Sequence, residues 1–584
     1  MSREARQLER FENLVSLFLT RAEGKGDKPF LWAKRDGEWR AISWAEAARQ
    51  VSALAASLKR IGLQPGDRVC LVSENRPEWL ISDLAIMAAG CVTVPTYTTN
   101  TTRDHAHILG NSGARAVIVS NQKLATNLIP AVLTSTECHH VIAMEPLRSV
   151  QAPDWVNCHS WTKLASGDAD AASLKREIAK VGRSDLACII YTSGTGGAPR
   201  GVQIHHGSIL HNLDGCTDII STDFGWDDEI FLSFLPASHA YEHTGGQMFP
   251  IALGAEIYYA ESLEKLAANI EEVQPTIMVV VPRLFEMLRA RIIKSIEAQG
   301  GLSKYLLHRA MKIGGDKAAG KFKPWDVPMD GILSLTLRRK IRNKIGKRQK
   351  AWVSGGAPLN PEVGMFFESI GITFLQGYGQ TECGPVISCN RPSAGIRLDT
   401  VGPPVKNTEV RIADDGEIMV RGECVMHGYW RNEEETGRVL RDGWLGTGDV
   451  GHFDEKCRIK ITDRKKDILV NDKGDNVSPQ RIEGMLTLQP EIAQAMVYGD
   501  RRPHLVALLV PDPEIASSAD AHKRLQQAVD RTNADLSVIE KIRRFIVADE
   551  PFSIENEQLT PSMKIRRHVI AKQYGERLDG LYRK

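Results

Sequence analysis

The chain has 584 residues, 42% of them apolar and 25% charged, a globular composition that excludes a collagen-like, disordered or disulfide-framework protein and suggests roughly four structural units. Its 74 Lys and Arg against 72 Asp and Glu leave a formal charge of +2, so nucleic acid is not expected as a partner. Ten cysteines with no C-x-x-C pair suit reduced thiols in a cytoplasmic compartment rather than zinc or disulfides.

The first ten residues mix charges with no apolar run behind them, so neither a signal nor a transit peptide is predicted. A capping box at Ser43 and Glu46 opens a helix in which Ala47, Val51, Leu54, Leu58 and Ile61 share one face until Gly62. Pro65-Gly66-Asp67 turns the chain into a strand over 68–72. The exchange recurs with a helix from about Trp79, a strand over 91–94, a helix over 104–110, and strands over 116–119 and 186–191. The apolar stretch 84–95 within this pattern is too short to cross a bilayer. Such alternation predicts an α/β fold on mostly parallel sheets.

From Val401 the texture changes to alternating apolar positions around Asp414-Asp415-Gly416, which predicts antiparallel hairpins and a small β-barrel-like subdomain at about 401–463. Another hairpin is predicted over 451–461. The charged run 462–467 marks the expected boundary between a large N-terminal domain, 1–463, and a smaller, mobile α+β domain, 464–584. The latter should hold a helix over 479–488, strands over 495–498 and 504–510, and a helix near 517–533.

The segment Tyr191-Thr192-Ser193-Gly194-Thr195-Gly196-Gly197-Ala198-Pro199-Arg200 follows directly on an apolar strand. Glycines let the backbone approach a ligand, and successive amide N–H groups can surround phosphate oxygens. It lacks the Gly-Lys-Ser/Thr triplet of a Walker loop and the dinucleotide G-x-G-x-x-G. A phosphate cradle is one reading, and a polar turn at a strand end is the other.

This segment resembles the phosphate loop of the adenylate-forming superfamily of acyl-CoA synthetases, adenylation domains and luciferases. It is joined in family order by SFLPASHAYEH at 233–243, SGGAPL at 354–359, QGYGQTE at 376–382, GWLGTGD at 443–449, TDRKKD at 462–467 and LTPSMKIRR at 559–567. The wording LPASHAYE and LTPSMKIRRHVI is similar to the long-chain fatty acid–CoA ligase branch.

The resemblance implies activation of a fatty acid by ATP and Mg²⁺ to an acyl-adenylate, then transfer to coenzyme A. It carries Thr192, Ser193, Gly194, Thr195, Gly196 and Gly197 to the β- and γ-phosphates, with Arg200 beside them, and Glu382 with Thr192 to the metal. Thr381 falls at the α-phosphate, Gly355, Gly356, Ala357 and Tyr378 at the adenine, and Asp449 and Arg464 at the ribose. Gln376, Gly377 and Gly379 complete the nucleotide-binding motif. Lys564 matches the adenylation lysine, bridging carboxylate and α-phosphate; His239 falls at the acyl pocket or carboxylate, with no role as a base assigned. Lys466 aligns with the interdomain hinge and Gly474 with the pantetheine tunnel. Gly196 and Arg200 depart from the family Thr and Lys. Arg keeps the charge and can grip phosphate bidentately, so activity is expected to survive. Two other readings stay open: a fatty acyl-AMP ligase delivering to a carrier protein, and a non-catalytic nucleotide- or acyl-binding homologue. Homodimers through the large domain also occur in the family.

The run 338–350 holds eight cations. A solvated helix face is its first reading, and a peripheral contact with anionic lipid at the inner face of a membrane is its second.

Overall fold

The strand Arg68–Val72 shows how the layers arise. Val69 and Leu71 enter one core, which also holds the helix Pro77–Ala88, whereas Cys70 and Val72 enter another, covered by the helices Thr102–Ser112 and Gln122–Thr134. A strand buried on both faces in this way reads as continuously apolar. The computed structural model describes residues 6–583 except 149–152, 169–170, 193–198, 299, 319, 466, 473–475, 554 and 561–564.

Two eight-stranded sheets form the body. In the first, Leu186–Thr192, Val92–Thr96, Arg68–Val72, Ala114–Val119, His140–Ala143 and Asn157–Ser160 are neighbours and parallel. Arg200–His205 and Gly428–Tyr429 extend it antiparallel at one edge. The second sheet has a parallel centre and an antiparallel strand at each end. The central core takes residues from both sheets, including Leu71, Ile190, Phe231 and Ile257. The helix Pro77–Ala88 lies in it with every residue but Glu78 buried, which accounts for the apolar stretch at 84–95. Among the described residues no helix is long and apolar enough to cross a membrane.

Two local expectations change. Ser43 caps its helix by accepting from the Glu46 N–H at 3.2 Å, but the Glu46 carboxylate turns to Arg49 and Gln50, so the box is only half made. The reciprocal box forms instead at Thr101 and Asp104. The second sheet also begins with a hairpin, Pro29–Arg35 and Glu38–Ser43, that the periodicity did not reveal. Its turn, Asp36-Gly37 with φ of 55° and 82°, is the short-range signal that could have found it.

Beyond residue 400, Glu409–Ile412 and Glu417–Arg421 pair as expected around Asp414-Asp415-Gly416. Trp444–Phe453 pairs antiparallel with three strands, Glu417–Arg421, Leu440–Arg441 and Ile459–Arg464, completing a five-stranded sheet. Ile492–Tyr498 and Leu505–Pro511 then pair antiparallel, and Ile542–Val547 joins them parallel. Val497, Ala507 and Leu509 face the helices Pro479–Leu486 and Ala521–Ala534; Met496, Val506 and Leu508 face the helix Arg567–Gly580. The helix expected over 479–488 thus stops at Leu486. The one expected near 517 begins at Ala521, after the turn Pro513–Ala516 capped by Asp512.

Candidate active site

Leu186–Thr192 and Arg200–His205 are antiparallel partners, pairing Thr192 with Arg200 and Tyr191 with Gly201. The glycine-rich connection therefore leaves and returns at one place on the sheet. Ser193, Gly194, Thr195, Gly196 and Gly197 lie outside the described residues; Thr192 and Arg200 are half-buried at their flanks.

Arg200 is held by protein groups. Its guanidinium lies 4.4 Å from the centre of the Tyr429 ring, and Nη1 donates to Glu435 at 2.7 Å. Its Nε is buried without a partner among the described residues. A stack and an ion pair thus orient the Arg200 fork. Tyr429 in turn donates its hydroxyl to Glu382 Oε1 at 2.8 Å. Burial, and then the Glu382 carboxylate, push the Tyr429 phenol up, which keeps it a donor. Sequence reasoning missed Tyr429, whose neighbour Gly428 lets the chain pass the Thr436 side chain with φ of 140°.

Glu382 sits on the single turn Thr381–Cys383, half-buried, with its carbonyl accepting from the Met426 N–H. Tyr429 occupies only one of its carboxylate oxygens. Among the described residues no cluster of three or more metal-ligating side chains exists. A lone carboxylate fits Mg²⁺, which keeps several waters and takes its remaining ligands from phosphate. Thr381, half-buried on the same turn, accepts at its carbonyl from the Gly384 N–H.

The strand Phe374–Gly379 delivers Gln376, Gly377, Tyr378 and Gly379, and pairs in parallel with Ala351–Ser354, which leads into Gly355, Gly356 and Ala357. A Cβ on Gly355 would come within 2.8 Å of the Tyr241 ring, and one on Gly379 within 1.9 Å of the Pro385 carbonyl oxygen. Glycine is required at both by close packing. Gly356 and Ala357 are exposed, whereas Gln376 is buried and donates to the Leu398 carbonyl at 2.5 Å. Gln376 thus shapes a loop through its side chain.

Tyr378, Asp449 and Arg464 come together. Asp449, 3% exposed, accepts from the Tyr378 hydroxyl at 2.6 Å on one oxygen and from Arg464 Nε at 2.9 Å on the other. Asp449 and Arg464 are direct cross-strand partners. Burial works against the Arg464 charge, but Asp449 outweighs it and raises the guanidinium further; burial also pushes the Tyr378 phenol well up.

His239 is half-buried and caps a short helix by accepting from the Tyr241 N–H at 3.2 Å. The same motif supplies groups that were not singled out. Tyr241 donates to the Val353 carbonyl at 2.8 Å. Glu242 accepts from Ser233 at 2.6 Å and from Gln247 at 3.2 Å, and burial pushes its carboxyl up to about 8. His243 pairs with Asp83 at 2.9 Å, both wholly buried.

Lys564, Lys466 and Gly474 lie outside the described residues. The chain on either side of Lys564 is pinned, since Leu559 bridges Ile565 and the Arg566 N–H donates to the Gln558 carbonyl at 2.8 Å. Arg567, inside the quoted motif but unassigned, makes a two-pronged pair with buried Glu483 at 2.7 and 2.5 Å.

Likenesses to known proteins span the same regions. Residues 18–430 match the AMP-binding enzyme family and residues 466–584 match the AMP-binding enzyme C-terminal domain. The long-chain-fatty-acid–CoA ligase FadD15 of Mycobacterium tuberculosis is 32% identical over 570 residues, covering 94% of this chain and 93% of its own. The chloroplastic long-chain-fatty-acid–[acyl-carrier-protein] ligase AEE15 of Arabidopsis thaliana is 28% identical over 613 residues, covering 93% and 82%. The crystal structure of the adenylation domain of a carboxylate reductase from Mycobacterium chelonae aligns with a TM-score of 0.75 at 23% identity, over 98% of this chain and 92% of that one. With its family match running through most of the chain and its site assembled from the same stretches, this protein belongs to the AMP-binding enzymes.

Proposed function

We propose that the protein is an AMP-forming long-chain fatty acid–CoA ligase. The observation that carries the reading is the likeness along 94% of the chain to a long-chain-fatty-acid–CoA ligase, and the joined set of Tyr378, Asp449 and Arg464 supports a nucleotide site within it. A carboxylate resists thiol attack because it is anionic and lacks a leaving group. Transfer of AMP from ATP to the acid removes that charge and provides the leaving group, with pyrophosphate departing. Coenzyme A thiol then attacks the acyl carbon, the thioester C–S bond forms, and AMP leaves.

In this reading Thr192, Ser193, Gly194, Thr195, Gly196 and Gly197 hold the β- and γ-phosphates, and Thr381 the α-phosphate. Asp449 and Arg464 take the ribose hydroxyls; Gly355, Gly356, Ala357 and Tyr378 flank the adenine, with Gln376, Gly377 and Gly379 shaping its strand. Glu382 and Thr192 would hold Mg²⁺, which draws negative charge off the phosphates. Lys564 follows charge from the carboxylate to the α-phosphate, a task that suits an ammonium on a flexible stem. His239 borders the acyl carboxylate. The C-terminal domain, from about Arg464, then turns about Lys466 to bring Gly474 beside the pantetheine.

Purified protein with Mg-ATP and acids from acetate to stearate, with and without coenzyme A, tests this. Equal yields of AMP and acyl-CoA, with kcat/KM highest for long chains, are expected. Pyrophosphate release without thioester would point instead to an acyl-AMP ligase, the activity named for AEE15. No turnover of any acid would overturn catalysis. The peripheral membrane contact of the run 338–350 belongs to the same reading.

A further inference from the structure

The helix Leu337–Ile345 is amphipathic. Leu337, Ile341 and Ile345 recur every fourth residue and pack against the core that holds Phe366 and Phe367. The cations of the basic run divide accordingly, so it is not a uniformly solvated face. Arg338 is buried and donates to the Ser369 carbonyl at 2.9 Å and to Asp330 at 2.8 Å, and Lys350 turns inward to Glu229 and Asp227. Arg339, Arg342, Lys344, Lys347 and Arg348 remain exposed.

The preceding helix, Val327–Leu335, packs on this one and breaks the pattern. Leu333 and, in part, Met329 face inward. Outward, Val327, Ile332 and Leu335 are 55%, 48% and 72% exposed, and Trp325, in the turn just ahead, is 72% exposed. Pro328 and Gly331 are exposed between them. These positions recur at three- and four-residue intervals, so the helix turns an apolar stripe to the outside. Between 321 and 350 there are ten cations and two acids, Asp326 and Asp330. Asp326 faces Arg309, and Asp330 is taken by Arg338 and Lys317. The stripe therefore borders a strongly cationic surface.

We propose that these two helices form a docking surface for an anionic bilayer: Trp325, Val327, Ile332 and Leu335 enter the boundary between headgroups and acyl chains while the exposed cations of 339–348 pair with lipid phosphates. An exposed apolar face with a tryptophan at its end and basic residues beside it has the chemistry of an interfacial helix. Anionic headgroups complement the charge. A second copy of this chain fits worse, since a symmetric contact would set the same cations against each other. The proposed long-chain substrate gives the surface its purpose, because such an acid partitions into a bilayer, but docking itself needs no turnover.

Flotation of the whole chain on sucrose gradients, with phosphatidylcholine vesicles and with vesicles containing phosphatidylglycerol, tests the inference. Recovery with the anionic vesicles is expected to exceed that with neutral ones by about tenfold and to fall with added salt. The charge-reversed R342E/K344E/R348E protein should float no better on anionic than on neutral vesicles. The W325S/I332S/L335S protein should lose flotation on both. Both variants should keep wild-type thermal unfolding and wild-type acyl-CoA synthesis from detergent-dispersed acid. Wild-type protein that stays at the bottom of the gradient, or either variant floating like wild type, would overturn the proposal. A change in solution mass on replacing the stripe, with flotation untouched, would assign the surface to a second copy and overturn it equally. Failed acyl-CoA synthesis with intact flotation would contradict the ligase reading and leave the docking surface standing.

Discussion

Asp449 and Glu382 are the two carboxylates that the proposed function assigns to opposite ends of the nucleotide, and they are held in different ways. Asp449 is almost fully buried, its oxygens both bonded, and its partner Arg464 faces it across one hairpin. Glu382 is half-buried on a single turn, and the group that orients it, Tyr429, comes from 47 residues away. Tyr429 is itself steadied by Arg200, which leans on Glu435. The proposed ribose end is fixed by two direct bonds to one carboxylate, from its cross-strand partner Arg464 and from Tyr378, whereas the proposed metal end depends on a relay from Glu435 through Arg200 and Tyr429 to a single carboxylate oxygen. Preorganised groups need no rearrangement when substrate arrives, and the contrast predicts unequal penalties when each end is disturbed.

The largest effect should follow Asp449→Ala. Removing that carboxylate leaves the Tyr378 hydroxyl and Arg464 without their shared partner, a penalty of about 3 kcal/mol. ATP-dependent kcat/KM should fall about 100-fold, with a lowered melting temperature; retention of near wild-type ATP kinetics would show that Asp449 is not at the nucleotide. Tyr429→Phe removes one hydrogen bond to a charged group, about 1.5 kcal/mol. KM for Mg-ATP should rise about tenfold and the magnesium titration shift to higher concentration, while KM for the acid stays put. An effect on the acid instead would mean that Glu382 is not steadied for the cation. Arg200→Lys restores the ammonium of the family pattern but weakens the stack on Tyr429 and the half-buried pair with Glu435. Each contributes about 1 kcal/mol or less, so ATP kinetics should change by no more than about fivefold.

Glu242 offers a gentler probe, one that reads folding through pH. Its carboxyl titrates at about 8 in the folded chain against 4.5 when free. Between those values the folded state holds a proton that the unfolded state has lost, so stability falls as pH rises and the contribution is gone above about 8. His206, which burial lowers to about 4 from 6.5, acts in the opposite sense, so the difference between wild type and Glu242→Gln is the informative quantity. Melting scans from pH 5 to pH 9 should show the variant gaining on wild type by about 2 °C per pH unit up to pH 8. Parallel curves would mean that Glu242 is ionised in the folded protein.

Much of this architecture was legible because local chemistry wrote it. The strand Arg68–Val72 follows a Pro-Gly-Asp turn, and the hairpin around Asp415-Gly416 carries its own turn signal. Asp449, Arg464, Tyr378 and Glu382 were legible through motifs in which spacing and residue type recur together. Tyr429 was not, since its meaning depends on a hydroxyl reaching a carboxylate in another segment. The Arg567–Glu483 pair spans 84 residues and was hidden for the same reason. Periodicity also cannot tell inward from outward: Val327, Ile332 and Leu335 are apolar at near-helical spacing, yet Leu333 and Met329 are the residues that pack into the core. Glu242 stood inside a quoted motif, but only its burial makes its proton chemistry visible.

In the proposed function one site performs two half-reactions in sequence, and a single-turnover experiment reads that order directly. Enzyme in excess receives Mg-ATP and palmitate, coenzyme A is withheld, and the thiol is then added. Pyrophosphate and enzyme-bound acyl-adenylate should form first in equal amounts, followed on addition of thiol by AMP and acyl-CoA, again in equal amounts. Formation of ADP, or thioester appearing without prior pyrophosphate release, would contradict the account.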